Sequence, residues 1–507
     1  MATLSRKLRT KRWAISKHQL LALLGGTGLF IFGLSGLLHI VMVTWGPQQV
    51  VMMPPMAPLS LEIAKPLQKT LADAGIDKAA AIKVVAGPQG SVLQVTPSQM
   101  AARRYFSLET GAEIEGGDEA QAVFLARHYS GLDAPVKATT FLTDFTPNYP
   151  WVNRLLPVYR VDFETADNRS MYVYTETNAS AGMTNDFKRA VQTGFRWFHT
   201  WDWLPRDVEW GRVLLIALFV GSLLGLAITG ALMLITIRRK TPIRGSMRWH
   251  QMAGYALALP IMMFTSSGLY HLITSAATPP ERVLSLQSSL DVAEMRFPLA
   301  QEWTAMTKGL PVSALSLVTS PTGSLLYRLG LAAPRGAAPL TPEALRDTRF
   351  EGRPMTGPAV YVDAETGQPW DGGDAAMAAH LGARFTGSDA EPEASLVTRF
   401  GPLYDFRNKR LPVWQLSYGE PVNATLWVDT DTGALVDKLP NSQQPERWSF
   451  SLIHKWNFLR PLGRNGQNIV IAAIVLASVG LMAGIGLNTY LKRRKRFSVD
   501  RPKAQQV

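Results

Sequence analysis

Apolar residues follow two rhythms along this chain. In four long windows, about 19–45, 210–237, 249–275 and 469–491, they run almost unbroken, with no internal Asp, Glu or Lys. Each window holds the roughly 20 mostly apolar residues that cross about 30 Å of hydrocarbon as an α-helix. The first is too long for a signal-peptide core and has no small-residue cleavage site after it, so it reads as an uncleaved anchor. Between the windows the pattern changes to alternating apolar and polar positions, rich in Val, Tyr and Thr and broken by Gly and Pro, which predicts strands. A strand, an acidic turn, a glycine and a second strand recur at 105–111, 361–367 and 427–433, the last two as Val-Asp-x-[Glu/Asp]-Thr-Gly. Thr-Gly after an acidic residue suits a hairpin whose glycine takes positive φ, and the ligands are too few for a cation-binding loop. Helical patterns at 66–74 and 118–129 make the blocks α+β modules. The Gly-, Pro- and Ala-rich stretch 319–341 is expected to be a surface linker.

The sequence also repeats itself. The first window opens His18-Gln19 and closes Ser35-Gly36-Leu37-Leu38-His39; the third opens His250-Gln251 and closes Ser267-Gly268-Leu269-Tyr270-His271. Both histidine pairs are 21 residues apart. Before the second window stands Phe195-Arg196-Trp197-Phe198-His199-Thr200-Trp201-Asp202-Trp203-Leu204. Before the fourth stands Phe450-Ser451-Leu452-Ile453-His454-Lys455-Trp456-Asn457-Phe458-Leu459. The shared pattern Phe-x-x-x-His-x-Trp-[Asp/Asn]-aromatic-Leu, in the same order in each half, predicts two parallel repeats about an axis along the membrane normal.

Charge fixes the expected orientation. The net charge is +13, yet the blocks 46–207 and 276–466 hold 33 basic and 37 acidic residues; the excess lies at 6–17, 238–248 and 492–503. These flank the spans on one side only, the positive-inside pattern, so the basic balance reports topology and implies no nucleic-acid partner. The expected organisation is a cytoplasmic N-terminus (1–18), spans at 19–45, 208–237, 249–275 and 467–491, outer α+β domains at 46–207 and 276–466, a cytoplasmic loop (238–248) and a cytoplasmic tail (492–507). The fold class is an α-helical membrane protein with four transmembrane helices and two outer α+β domains. With no cysteine in the chain, disulfides, iron–sulfur clusters and covalently attached c-type haem are excluded.

Taken together, the basic-then-His approaches to spans one and three (His18, His250), the Ser-Gly-Leu exits at Ser35 and Ser267, the His-x-Trp segments and the Val-Asp-x-x-Thr-Gly hairpins resemble the PepSY-associated transmembrane family. That family includes bacterial inner-membrane reductases that release iron from siderophores. The resemblance covers nearly the whole chain. It implies four spans, periplasmic PepSY domains and bound haem b.

Six of the eight histidines stand at membrane boundaries, in repeat-related pairs. A lone boundary histidine is ordinarily a polar cap; the pairing points to more, because haem b takes two axial imidazoles. Twenty-one residues of helix span roughly 31 Å. His18 and His39 differ by only about 60° around that helix, as do His250 and His271. His18 and His250 are therefore expected to share a haem at the cytoplasmic boundary. His39, His199, His271 and His454 are expected to hold one or two more at the periplasmic boundary, paired within a repeat or across the axis, giving one to three haems in all. His128 and His380 lack repeat partners and are expected on the surface. The tryptophans read as an interfacial belt or as packing for the cofactor. Glycines at 25, 26, 28, 33 and 36, at 225 and 230, and at 480, 484 and 486 suit close helix packing, against another helix or a flat macrocycle.

The expected function is a haem-dependent ferric-chelate (siderophore) reductase, fed by a membrane quinol or a separate cytoplasmic reductase because no G-x-G-x-x-G precedes a helix. The rival expectations are a PepSY-type module that binds or inhibits periplasmic peptidases and uses the spans as anchors, and a transporter. The spans lack the acidic residues that mark transport paths.

Overall fold

The computed structural model describes residues 2–55, 59, 65–236, 245–278, 284–286, 289–296, 306–332, 358–486, 488 and 491. The chain divides into two compact units, one of Met1–Gly46, Phe187–Pro280 and Pro445–Val507, the other of Pro47–Asp186 and Glu281–Gln444.

The first unit is helical, and among its described residues are four segments long and apolar enough to cross a membrane. Three are the helices Ala2–Trp45, Glu209–Thr236 and Ser246–Ala277. The fourth joins the helix Gly463–Ala477 to a π-helical turn at Ser478–Ala483. The first helix begins far ahead of its apolar window, because its basic flank contains good helix formers and neither Gly nor Pro interrupts it before Gly25. The first span packs along the second and the second along the third, while the fourth touches both the first and the third. Glycine permits the closest of these approaches. A Cβ on Gly28 would lie 2.9 Å from the Phe219 carbonyl oxygen, and one on Gly25 would lie 3.0 Å from that of Ser222. Leu29, Leu223, Ala227, Ala253, Leu257 and Ile261 fill the centre. Most of 238–248 and the whole of 492–507 lie outside the described residues.

The second unit is α+β. Its largest sheet has seven antiparallel strands in the order Pro369–Trp370, Ala359–Asp363, Leu325–Leu331, Val312–Thr319, Ala81–Gly87, Gly90–Thr96 and Arg104–Ser107. The two sequence blocks are joined where Leu315 pairs with Val84 and Ser316 with Lys83. Each block adds a four-stranded antiparallel sheet, one running from Val136 to Thr184 and one from Glu393 to Pro440. A helix packs on each: Gly117–Ser130 places Leu125 and Tyr129 among Val161 and Met171, and Gly373–Thr386 places Met377 and Leu381 among Leu416 and Leu426. Apolar burial on both faces holds these layers together.

The hairpin glycines behave as expected: Gly111, Gly367 and Gly433 have φ of +72°, +72° and +63°. The acidic side chain before Gly367 is used within its own turn, where Asp363 Oδ1 accepts from the backbone N–H groups of Glu365 and Thr366. The expected helices at 66–74 and 118–129 form as Leu67–Asp73 and Gly117–Ser130. The stretch 319–341 needs correction. Its first half carries the strand Leu325–Leu331 near the middle of the seven-stranded sheet, with Leu325, Leu326, Tyr327 and Leu329 buried. A strand covered on both faces loses the alternating pattern, so the flanking Gly and Pro obscured it. Residues 333–341 lie outside the described residues. His128 and His380 are half-buried rather than on the open surface, and His128 Nε2 sits 2.9 Å from the Met53 carbonyl oxygen.

An ion cluster lies in the interior of this unit. Lys83 Nζ and Arg410 Nη2 donate to the two oxygens of Glu176 at 2.7 and 2.6 Å, and Arg410 Nη1 also reaches Asp429 at 2.5 Å. Burial alone would raise the Glu176 pKa, but the Lys83 and Arg410 charges outweigh it and hold the carboxyl at about 2.

Candidate functional site

All six boundary histidines belong to the helical unit. His18 sits within the first helix and His250 within the third, and their ring centroids are 6.1 Å apart. The other four occupy the opposite ends of the spans and the short segments leading into spans two and four. His199 lies within electrostatic reach of His39, and His454 within reach of both His199 and His271.

The two His-Trp segments are built alike. The helix Asp186–Phe195 runs into a π-helical turn at Arg196–Thr200, and Gln444–Ser449 into one at Phe450–His454. A π-turn inserts an extra residue into a helix and re-aims the side chains after it, which is why such turns gather at functional sites. Close behind each histidine, Trp201 and Trp456 adopt φ of +53°, a left-handed conformation that ends the turn. Their indoles stack on Phe32 at 5.9 Å and on Phe264 at 5.0 Å. Phe32 meets His199 edge-on at 5.9 Å, and Phe264 meets His454 edge-on at 6.0 Å. The same contacts recur in the same order at both places.

Hydrogen bonds engage the Nδ1 atoms of four imidazoles. His18 Nδ1 lies 3.1 Å from the Leu226 carbonyl oxygen, and His454 Nδ1 lies 3.2 Å from that of Phe264. Carbonyl oxygens only accept, so both Nδ1 atoms carry the proton. His271 Nδ1 lies 2.5 Å from Glu446 Oε1, again an acceptor. His199 Nδ1 lies 3.0 Å from Ser35 Oγ, whose own proton is directed to the Phe32 carbonyl oxygen. Ser267 holds His454 in the corresponding way at 3.3 Å while donating to the Met263 carbonyl oxygen. A neutral imidazole protonated at Nδ1 keeps its lone pair on Nε2, and metal-bound histidines are held in this manner by their outer partners.

Glycines lie against three of the imidazoles. A Cβ on Gly36 would come within 3.7 Å of His199 Cε1, one on Gly268 within 3.3 Å of His454 Cε1, and one on Gly230 within 3.3 Å of His18 Cε1. By contrast, among the described residues no atom lies within 4 Å of a Cβ built on Gly26, Gly480, Gly484 or Gly486. Two metal–nitrogen bonds of about 2 Å plus two ring radii of about 1 Å give roughly 6 Å between imidazoles sharing a metal. The His18–His250 separation of 6.1 Å matches that spacing. Among the described residues, no three His, Asp or Glu side chains converge as a bare metal ion would require. Haem asks for imidazoles two at a time.

Two features escaped the sequence reading. Phe195 packs against both His39 (5.6 Å) and His199 (4.8 Å), and Phe450 against both His271 (3.9 Å) and His454 (4.9 Å). The histidines of one half thus share a phenyl ring, and among the described residues no ring contact joins them directly. Glu446 is the second. The Phe-x-x-x-His spacing contained the first signal; nothing in the sequence marked the second. Comparison with known proteins returned no matching family model and no matching curated protein.

Proposed function

We propose that this protein carries electrons across a bacterial inner membrane through haem b and delivers them to a periplasmic ferric chelate such as a siderophore, as the resemblance to PepSY-associated transmembrane reductases implies. The observation that carries this reading is the common state of His18, His199, His271 and His454, each with Nδ1 engaged and Nε2 left to a ligand. In this reading the helical unit is two parallel repeats, with both termini in the cytoplasm and the α+β unit in the periplasm. His18 and His250 hold one haem near the cytoplasmic face. His39, His199, His271 and His454 would hold haem near the periplasmic face. The phenyl rings of Phe195 and Phe450, set against both histidines of each half, favour pairing across the halves over pairing within one.

Haem, when bound, supplies one-electron chemistry at a potential set by its ligands and surroundings. The chain's own residues fix ligand orientation through Leu226, Phe264, Ser35, Ser267 and Glu446, and exclude water through the Phe32–Trp201 and Phe264–Trp456 stacks. Reducing Fe(III) to Fe(II) weakens its hold in hard-oxygen chelators, because oxygen donors favour the smaller, more charged ion. The donor is a quinol or a separate cytoplasmic reductase.

Proteoliposomes test this directly. With a reductant enclosed and a ferric hydroxamate outside, protein-containing vesicles are expected to produce Fe(II) outside far faster than protein-free vesicles. Equal rates would remove the reductase reading and favour a PepSY-type binding or peptidase-inhibiting module.

A further inference from the structure

Repeat-equivalent histidines sit in unlike electrical surroundings. His271 Nδ1–H donates to the Glu446 carboxylate at 2.5 Å, and that carboxylate is largely buried, with 13 % of its side chain exposed. Glu446 stands four residues before Phe450, on the short helix Gln444–Ser449. Four residues before Phe195 the chain carries Val191 instead. The charges that act on His39 are the cations Lys455, Arg464 and Lys188. One imidazole is therefore bonded to an anion, while the charges that act on its counterpart are cations, one of which, Lys455, also lies over the Phe450 ring beside His271.

A carboxylate bonded to the far nitrogen of an imidazole makes the ligating nitrogen more basic. A more basic ligand stabilises Fe(III) relative to Fe(II), and nearby positive charge does the opposite. We infer that Glu446 is a positioning residue that holds His271 by Nδ1, leaves Nε2 for iron, and sets the centre served by His271 at a lower potential than that centre would have without the carboxylate. This inference rests on the haem reading above. A phenyl ring stands beside each outer histidine, Phe195 at 5.6 Å from His39 and Phe450 at 3.9 Å from His271, and the carboxylate stands beside His271.

The test is a redox titration of the visible spectrum of purified full-length protein, with EPR of the oxidised form. Glu446→Gln is expected to raise one midpoint and leave that of the His18–His250 centre unchanged. Glu446→Asp restores the midpoint in part, because it keeps the charge on a shorter arm. Val191→Glu supplies a carboxylate to the other half and is expected to lower the midpoint of the His39 centre, which keeps the idea testable should Glu446→Gln misfold. Unchanged midpoints in Glu446→Gln and Val191→Glu, with haem content at the wild-type level, would overturn the inference and leave the haem reading intact. A wild-type protein without haem would overturn both.

Discussion

In His18, His199 and His454 one ring nitrogen is held by residues of no evident chemistry. Leu226 and Phe264 contribute backbone carbonyls, and Ser35 and Ser267 contribute hydroxyls already committed as donors. Because His18 and His250 face each other at 6.1 Å, alanine at either position is expected to remove the same haem and leave the remaining absorbance intact. Haem loss in one variant with full content in the other, measured as haem per polypeptide, would disprove shared ligation. Alanine at His39, His199, His271 or His454 leaves a partner imidazole in place. Partial haem loss or a five-coordinate, high-spin spectrum is expected, with slower ferric-chelate reduction and normal insertion. The six histidines were legible because they recur at fixed spacing. Their holders were not: a backbone carbonyl has no sequence signature, and Ser35 and Ser267 read only as part of the Ser-Gly-Leu exit.

Helices bring these residues together by approaching closely, and glycine decides where. At Gly36 and Gly268 a Cβ would lie 3.7 Å from the His199 ring and 3.3 Å from the His454 ring, so a larger side chain would press on each. Gly36→Val and Gly268→Val are therefore expected to displace an imidazole and lower the haem-to-protein ratio without affecting insertion. Gly26→Val, with no atom within 4 Å, should leave the ratio unchanged. If the three variants lose haem equally, helix packing in general is being measured, not contact with the rings. Sequence predicted the four apolar helices from length and composition, and the turn glycines from the Thr-Gly pattern. It did not predict the π-turns at Arg196–Thr200 and Phe450–His454, since one extra residue in a helix leaves the apolar pattern almost unchanged. The strand Leu325–Leu331 was missed for a related reason: its partners are distant in sequence, and it is buried on both faces.

At the scale of the molecule, strands more than two hundred residues apart, Arg104–Ser107 and Val312–Thr319, share one seven-stranded sheet, which no local pattern could announce. The Glu176 cluster ties Lys83 of that sheet to Arg410 of the later block. Its pH behaviour follows from the sign of the shift. The Glu176 pKa falls from an ordinary 4.5 to about 2 on folding. Its contribution is thus fully present above about pH 4.5 and is lost as pH falls toward about 2. Glu176→Gln would leave Lys83 buried without its counter-charge and Arg410 with Asp429 alone, and breaking such a group typically costs about 3–5 kcal/mol. Thermal unfolding followed by circular dichroism should show the α+β unit of the variant melting well below wild type at pH 7, with the gap narrowing as pH falls toward about 2. A gap independent of pH would mean that the ion cluster is not what the substitution removes.

The whole reading depends on haem being bound by imidazole pairs, and the visible spectrum of the purified protein reports that most directly. Protein from haem-replete cells is expected to be red, with a Soret band and, after dithionite reduction, the sharp α and β bands of low-spin, bis-histidine haem b. A colourless preparation would contradict it.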